Sequence, residues 1–279
     1  MFGHETIAKD IKNAIDTHLE DNQEDGRRDH LGASIVGREC LREIYHIWRW
    51  SYNKKHEARM IRLFDRGHRE EDRFVEWLSA VCEKVWPLDP RTGEQIRVKD
   101  FKGYFGGSLD AVIRNPVGYK GDYLGEFKTH NDKSFTKLVV KGVQEAKPEH
   151  YDQMQLYLHY KPRLLGALYF AINKNDDSLH VEFVQKDERA ALNALAKTEK
   201  ILLSTSPPPP FEGASEYNFY CNRFCDFGHL CWKNGTPDKS CRTCAFVKPT
   251  NDGWSCTKHE KILTSDDQKA ACDEYERAF

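Results

Sequence analysis

Three ionisable residues in two short segments carry the chemistry this sequence can be read for. They are Asp110, which closes Gly106-Gly107-Ser108-Leu109-Asp110, and Glu126 with Lys128 in Glu126-Phe127-Lys128. Along a strand, successive side chains point to opposite faces, so Glu126 and Lys128 share a face and Phe127 turns to the other. If the strand ending at Asp110 lies beside that of Glu126, its carboxylate enters the same pocket. Two hard carboxylates side by side suit Mg²⁺ or Mn²⁺, which prefer oxygen ligands. Such an ion eases the deprotonation of water and neutralises charge on a phosphodiester, and an adjacent ammonium can orient the attacking water. An isolated Glu-x-Lys would read as a solvated pair on an edge strand, so its weight comes from what surrounds it.

Two further elements accompany it. Gln153 and Tyr157 are four residues apart and share one face of a helix expected over 148–160, with Pro148 in its first turn. Upstream, His68 follows Gly67 in a long helical stretch. Glu71, on the same helix face as His68, is an alternative or additional ligand.

Taken in order, Gly67-His68, the glycine-rich turn before Asp110, Glu126-x-Lys128 and Gln153-x-x-x-Tyr157 resemble the PD-(D/E)xK nuclease superfamily. The closest flavour is the RecB-like branch, which includes the AddB nuclease domain and the CRISPR-associated exonucleases. The resemblance spans about residues 34–205. It implies an α/β, restriction-endonuclease-like core: a mixed central sheet flanked by helices. It also implies that His68, Asp110, Glu126 and the Phe127 carbonyl hold the metal, with Lys128 catalytic and Gln153 and Tyr157 near substrate. Leu109 stands where the superfamily's name has a proline.

Cysteine placement extends the likeness. Ser34 and Cys40-Leu41-Arg42 are similar to an N-terminal segment of that branch, whose cysteine joins three C-terminal cysteines around a 4Fe–4S cluster. The three here would be Cys221, Cys225 and Cys231, with three rather than the more usual two residues between the first pair. Thiolate ligation by three clustered cysteines and one distant one is chemically sound. A zinc site using His229 in place of Cys40 is the alternative. A second set, Cys241-x-x-Cys244 and Cys256-x-x-His259, has the paired spacing of tetrahedral zinc. Cys82 and Cys272 stand apart and read as inert.

The chain has 279 residues, 39% hydrophobic and 31% charged, with a formal net charge of −2. That is an ordinary globular composition, not a disordered one. No run reaches the ~18 apolar residues of a membrane helix, and the N-terminus lacks a signal-peptide layout. The expected setting is the cytoplasm of a bacterial or phage-infected cell. The chain as a whole is not a basic nucleic-acid binder. Local basic stretches do occur, at Arg97, Lys99 and Lys102 and at Lys133, Lys137 and Lys141.

Hydrophobic periodicity predicts helices over 4–20, with Ile7, Ile11, Ala14, Ile15 and Leu19 as the apolar stripe, then over 37–50 with Ser34 as a cap. A longer helix is expected over 56–83, with Ile61, Phe64, Phe74, Trp77, Leu78 and Val81 facing inward. Strand patterns run over 95–114, broken at Gly103 and at Gly106-Gly107, and over 122–130, 164–172 and 179–184. Helices are expected over 133–142, 148–160 and 186–204. Pro207–Pro210 forms a stiff linker, dividing a nuclease core with N-terminal helices (1–205) from a cysteine-rich, metal-binding module (206–279).

The residues support two readings. One is a Mg²⁺- or Mn²⁺-dependent DNA nuclease, an exonuclease before an endonuclease, acting on DNA ends in recombination, repair or phage DNA metabolism. The other is a nucleic-acid- or protein-binding module on a nuclease fold whose metals serve structure. No ATP-binding loop occurs, so a helicase or recombinase partner would be a separate chain.

Overall fold

The computed structural model describes residues 4–279. Helix α1 (His4–Asp21) lies against the start of α4. Arg62 on α4 meets Asp16 at 2.5 Å, and Glu20 accepts the Ala58 N–H at 2.8 Å. Its predicted apolar stripe is not core: Ile7, Ile11 and Ile15 are each about half exposed.

The helix expected over 37–50 starts later, at Leu41, and a separate short helix precedes it. After β1 (Leu31–Gly32) come α2 (Ala33–Val36) and α3 (Leu41–Trp48), with Cys40 as the N-cap of α3. Gly32, not Ser34, precedes α2. The break lies at Gly37, where a Cβ would sit 2.5 Å from the Glu149 Cα, so backbone packs on backbone here.

Helix α4 (Ala58–Val81) runs straight into a strand that periodicity missed, β2 (Cys82–Trp86). Phe74 and Leu78 are buried, whereas Phe64, Trp77 and Val81 are exposed, because only one face of α4 meets the sheet.

Next come β3 (Arg97–Asp100), β4 (Phe105–Ser108), β5 (Ala111–Pro116) and β6 (Asp122–His130). The chain does break around Gly103, but Gly106 and Gly107 lie inside β4, and the second break falls at Leu109-Asp110. A Cβ on Gly107 would stand 2.6 Å from the Tyr157 hydroxyl, so the glycine serves helix packing and not a turn. Helices α5 (Asp132–Ala146) and α6 (Pro148–Tyr160) lead to β7 (Ala167–Asn173), β8 (Leu179–Val184) and α7 (Glu188–Leu203).

The central sheet has the order β2-β5-β6-β7-β8, with only β6 and β7 parallel. The protein is therefore a mixed α/β structure, with helices on a mixed sheet. A parallel pair needs a crossover, and α5 with α6 supplies it. A smaller sheet, β1-β4-β3, lies beside it. One buried cluster joins Ile44, Leu124, Leu138, Met154 and Tyr169. The other joins Phe74, Leu78, Ile113, Phe127 and Phe170 beneath α4.

Beyond the prolines lie α8 (Phe219–Arg223), α9 (Gly228–Trp232), β9 (Val247–Thr250), β10 (Gly253–Cys256), β11 (Lys261–Ile262) and α10 (Ser265–Ala270). Val247, Trp254 and Leu263 belong to the same buried cluster as the main core. Arg242 pins this end down. Its guanidinium is 1% exposed and lies over Trp48, Trp50 and Trp254 at 4.8, 3.6 and 4.7 Å from the ring centroids. It donates to the carbonyls of Trp48 and Asp29, at 3.2 and 3.0 Å, and to the Gln268 side chain at 2.8 Å. Replacing Arg242 with Ala empties this clamp and strands its acceptors, so unfolding in urea should lose about 3–5 kcal/mol. A variant within ~0.5 kcal/mol of the parent would show the clamp to be incidental.

Candidate active site

The β5–β6 register pairs Ala111 with Gly125 and Val112 with Leu124, so Asp110, one residue before β5, falls level with Glu126. An Asp110 carboxylate oxygen accepts the Phe127 N–H at 2.8 Å and the Lys128 ammonium at 3.5 Å. The same ammonium stands 2.5 Å from a Glu126 oxygen. Phe127 points the other way, stacked on Phe74 at 5.0 Å between centroids and edge-on to Phe170. Asp110, Glu126 and Lys128 thus converge on one side of the sheet.

Glu126 has no exposed surface, and neither carboxylate oxygen has a hydrogen bond of normal geometry despite the nearby ammonium. Burial, then the negative charge of Asp110, pushes its carboxyl up to about 8. Burial works against the charge on Lys128, but Asp110 and Glu126 outweigh it, so the ammonium holds its proton more tightly than an exposed lysine.

Lys128 opens onto a cavity of about 950 Å³, which His68 on α4 also lines. His68 is exposed. Glu71 is half-buried, and its carboxyl is raised by burial and then by Asp110, while Lys128 and His68 lower it. Glu71 therefore feels the Asp110 charge from α4. Among the described residues, no group of three or more His, Cys, Asp or Glu side chains is placed to hold a metal ion as it stands.

Gln153 and Tyr157 are buried on α6 and joined by a 3.3 Å hydrogen bond. They line a second cavity of about 580 Å³, together with His30, Arg97 and Lys99. The Tyr157 phenol is raised by burial and then by Glu126. Arg28 lines both cavities. Of the basic stretches, Arg97 and Lys99 reach the second cavity, while Lys102, Lys133, Lys137 and Lys141 line neither.

Sequence reading missed a polar group beside Lys128. The Tyr169 hydroxyl lies 2.9 Å from His130 Nε2 and 2.7 Å from His150 Nδ1, and the two imidazoles stack at 5.9 Å. Burial, then Lys147 and Lys128, holds the His130 ring down to about 3, and burial also puts His150 well below its usual value. His130 was legible, since strand alternation puts 126, 128 and 130 on one face. His150 and Tyr169 arrive through the crossover.

Cys40, Cys221, Cys225 and Cys231 line one small cavity with Glu43 and Tyr220; His229 does not. Its ring instead meets the Asp226 carbonyl at 3.1 Å and the Tyr52 ring edge-on. Cys241, Cys244, Cys256 and His259 line another cavity, and so does Cys272, which does not stand apart as expected. Cys82 lies at the start of β2.

No family model matches the chain, and no curated protein matches it. Solved structures do. One described as SSO0001 is 18% identical with a TM-score of 0.46, over 81% of this chain and 96% of that one. LHK-Exo in complex with dAMP is 16% identical with a TM-score of 0.43, over 63% and 87%. An alkaline exonuclease (LHK-Exo) from Laribacter hongkongensis is 16% identical with a TM-score of 0.39, over 67% and 90%.

Proposed function

We propose that the chain is a Mg²⁺- or Mn²⁺-dependent deoxyribonuclease that acts on DNA ends. The observation that carries this reading is the wholly buried Glu126 carboxylate beside Asp110, two carboxylates facing the one Lys128 ammonium, which lies 2.5 Å from Glu126 and 3.5 Å from Asp110. A buried carboxylate beside a second one is costly when a single ammonium faces both, and a cation held between the two removes that cost.

Asp110 and Glu126 would hold the ion, with the Phe127 carbonyl and with His68 or Glu71 from α4. Bound there, the ion would supply Lewis-acid neutralisation of the charge on a phosphodiester. Lys128 adds a fixed positive charge beside the carboxylates, where it can orient the attacking water and stabilise charge growing on the phosphate oxygens. Gln153 and Tyr157 would face substrate from the second cavity, where Arg97 and Lys99 meet backbone phosphates through charge alone. Without a base-reading element, an end-directed nuclease fits better than a sequence-specific one.

With end-labelled single- and double-stranded DNA and Mg²⁺ or Mn²⁺, the parent should cleave, chelator should abolish cleavage, and Lys128→Ala or Asp110→Ala should lose at least ~10²-fold in rate. Binding without cleavage in the parent would favour the binding-module reading instead.

A second test needs no activity. A carboxyl that ionises near 4.5 in the unfolded chain and at about 8 in the folded one binds its proton more tightly when folded. Its contribution to stability is therefore whole below pH 4.5 and lost as pH rises through 8. Thermal melting of the chelator-treated protein should fall across this window. Mg²⁺ should restore more of it as pH rises, and Glu126→Gln should flatten both trends. A pH-independent response to Mg²⁺ would place the ion elsewhere.

We infer a 4Fe–4S cluster for Cys40, Cys221, Cys225 and Cys231, four thiols that line one cavity. We infer zinc for Cys241, Cys244 and Cys256. Anaerobically purified protein should be brown, and Cys40→Ser should bleach it. A colourless parent whose additional zinc depends on His229 would select the alternative.

A further inference from the structure

We propose that the zinc ligand completing Cys241, Cys244 and Cys256 is Cys272, so that the C-terminal site is a four-thiolate centre closed by the last strand-like stretch of the chain. This rests on the zinc reading above and changes its fourth ligand from His259.

The backbone carries the argument. Residues 275–278 fold back along the Cys241–Cys244 turn: Ala245 N–H donates to the Glu276 carbonyl at 2.8 Å, and Ala278 N–H to the Thr243 carbonyl at 3.0 Å. Cys244 and Arg277 form an antiparallel bridge. From the other side, β9 and β10 pair Cys256 with Val247, three residues beyond Cys244. Helix α10 is capped by Ala271, whose positive φ of 53° turns the chain just before Cys272. The Cys241 thiol already touches this helix, donating to the Asp267 carbonyl at 3.3 Å. Three separate stretches therefore deliver four cysteines to one cavity of about 400 Å³.

His259 is the weaker candidate. It sits in the turn after β10 with 36% of its side chain exposed, and its Nε2 lies 3.4 Å from the Glu274 carboxylate. A ligand to zinc would have to give up that contact and move inward. Thiolate is also the softer donor, and four-thiolate sites are among the common structural zinc centres. Lys258 and Lys261 line the same cavity, each paired there with a carboxylate, Glu274 at 3.4 Å and Asp267 at 3.0 Å. Without the ion, the four thiols line the cavity wall and do not converge on one point. Binding would pull them together and fix the end of the chain, the usual coupling of metal binding to folding.

The test is zinc content and zinc-edge X-ray absorption on the purified full-length protein, with Cys272→Ser and His259→Ala. The inference expects stoichiometric zinc with an all-sulfur shell in the parent, the same shell and content in His259→Ala, and loss of zinc from Cys272→Ser. His259 is on the surface, so its replacement removes no core packing, and any zinc lost from the variant reports ligation. A mixed sulfur–nitrogen shell in the parent, or zinc lost from His259→Ala and kept in Cys272→Ser, would overturn the choice of Cys272 and leave zinc itself standing. A parent without zinc would overturn both.

Discussion

Burying an ionisable group inside a sheet is the constraint around which the rest of this molecule is arranged. Glu126 sits on a strand with neighbours on both sides in the sheet, where no water can solvate it, and the nearest positive charge contacts it without a proper hydrogen bond. Such a carboxyl must either keep its proton or find a cation. Burial and the Asp110 charge favour the proton, whereas with Glu126 ionised Lys128 would neutralise the two carboxylates only in part. One ammonium against two carboxylates leaves a net negative charge in a low-dielectric place, which suits a divalent ion. The site and the register of β5 on β6 are thus one fact. A slip of one residue would turn Asp110 to the opposite face and pair Lys128 with Glu126 alone.

The second dependence is long-range. Arg28 lines both cavities around the site, and the segment that carries it is tied through the Asp29 carbonyl to Arg242, more than two hundred residues away in the sequence. Arg242 lies between tryptophans of the N-terminal region and Trp254 of the C-terminal sheet. Its burial is severe enough to lower the guanidinium to about 9, a large shift for a group normally charged at any pH. The C-terminal region therefore does more than hang from a proline linker. It helps hold a residue that lines both cavities.

What could be read from the residues follows from how local the signal is. Strand alternation alone puts Glu126, Lys128 and Phe127 on their observed faces, and the helix over 148–160 was legible to the residue because Pro148 marks its start. The break at Gly37 was not legible, since its cause is the backbone of Glu149 more than a hundred residues on. For the same reason Gly107 passed for a turn residue, when it is Tyr157 that requires it to be small. Strand β2 was missed because α4 runs into it without a breaking residue, so the period changes before any glycine or proline announces it. Exposure misled as well: Ile7, Ile11 and Ile15 form a good stripe on a helix that buries little of it.

Metal ligation is the hardest case for sequence reading, because ligand spacing constrains only the near pair. Cys241 and Cys244 announce themselves by their separation, and His259 is the next ligand type at the same separation from Cys256. Cys272 has no such partner; its approach is set by α10, by the turn at Ala271 and by the backbone pairing of residues 275–278 with 243–245. Cys40 reaches Cys221, Cys225 and Cys231 in the same way, because the Gly37 break makes it the cap of α3 instead of a mid-helix residue. The first cavity is lined by thiols from residue 40 and residues 221–231, the second by thiols of the C-terminal region alone, so a metal in the first would act as a long cross-link and one in the second as a short one.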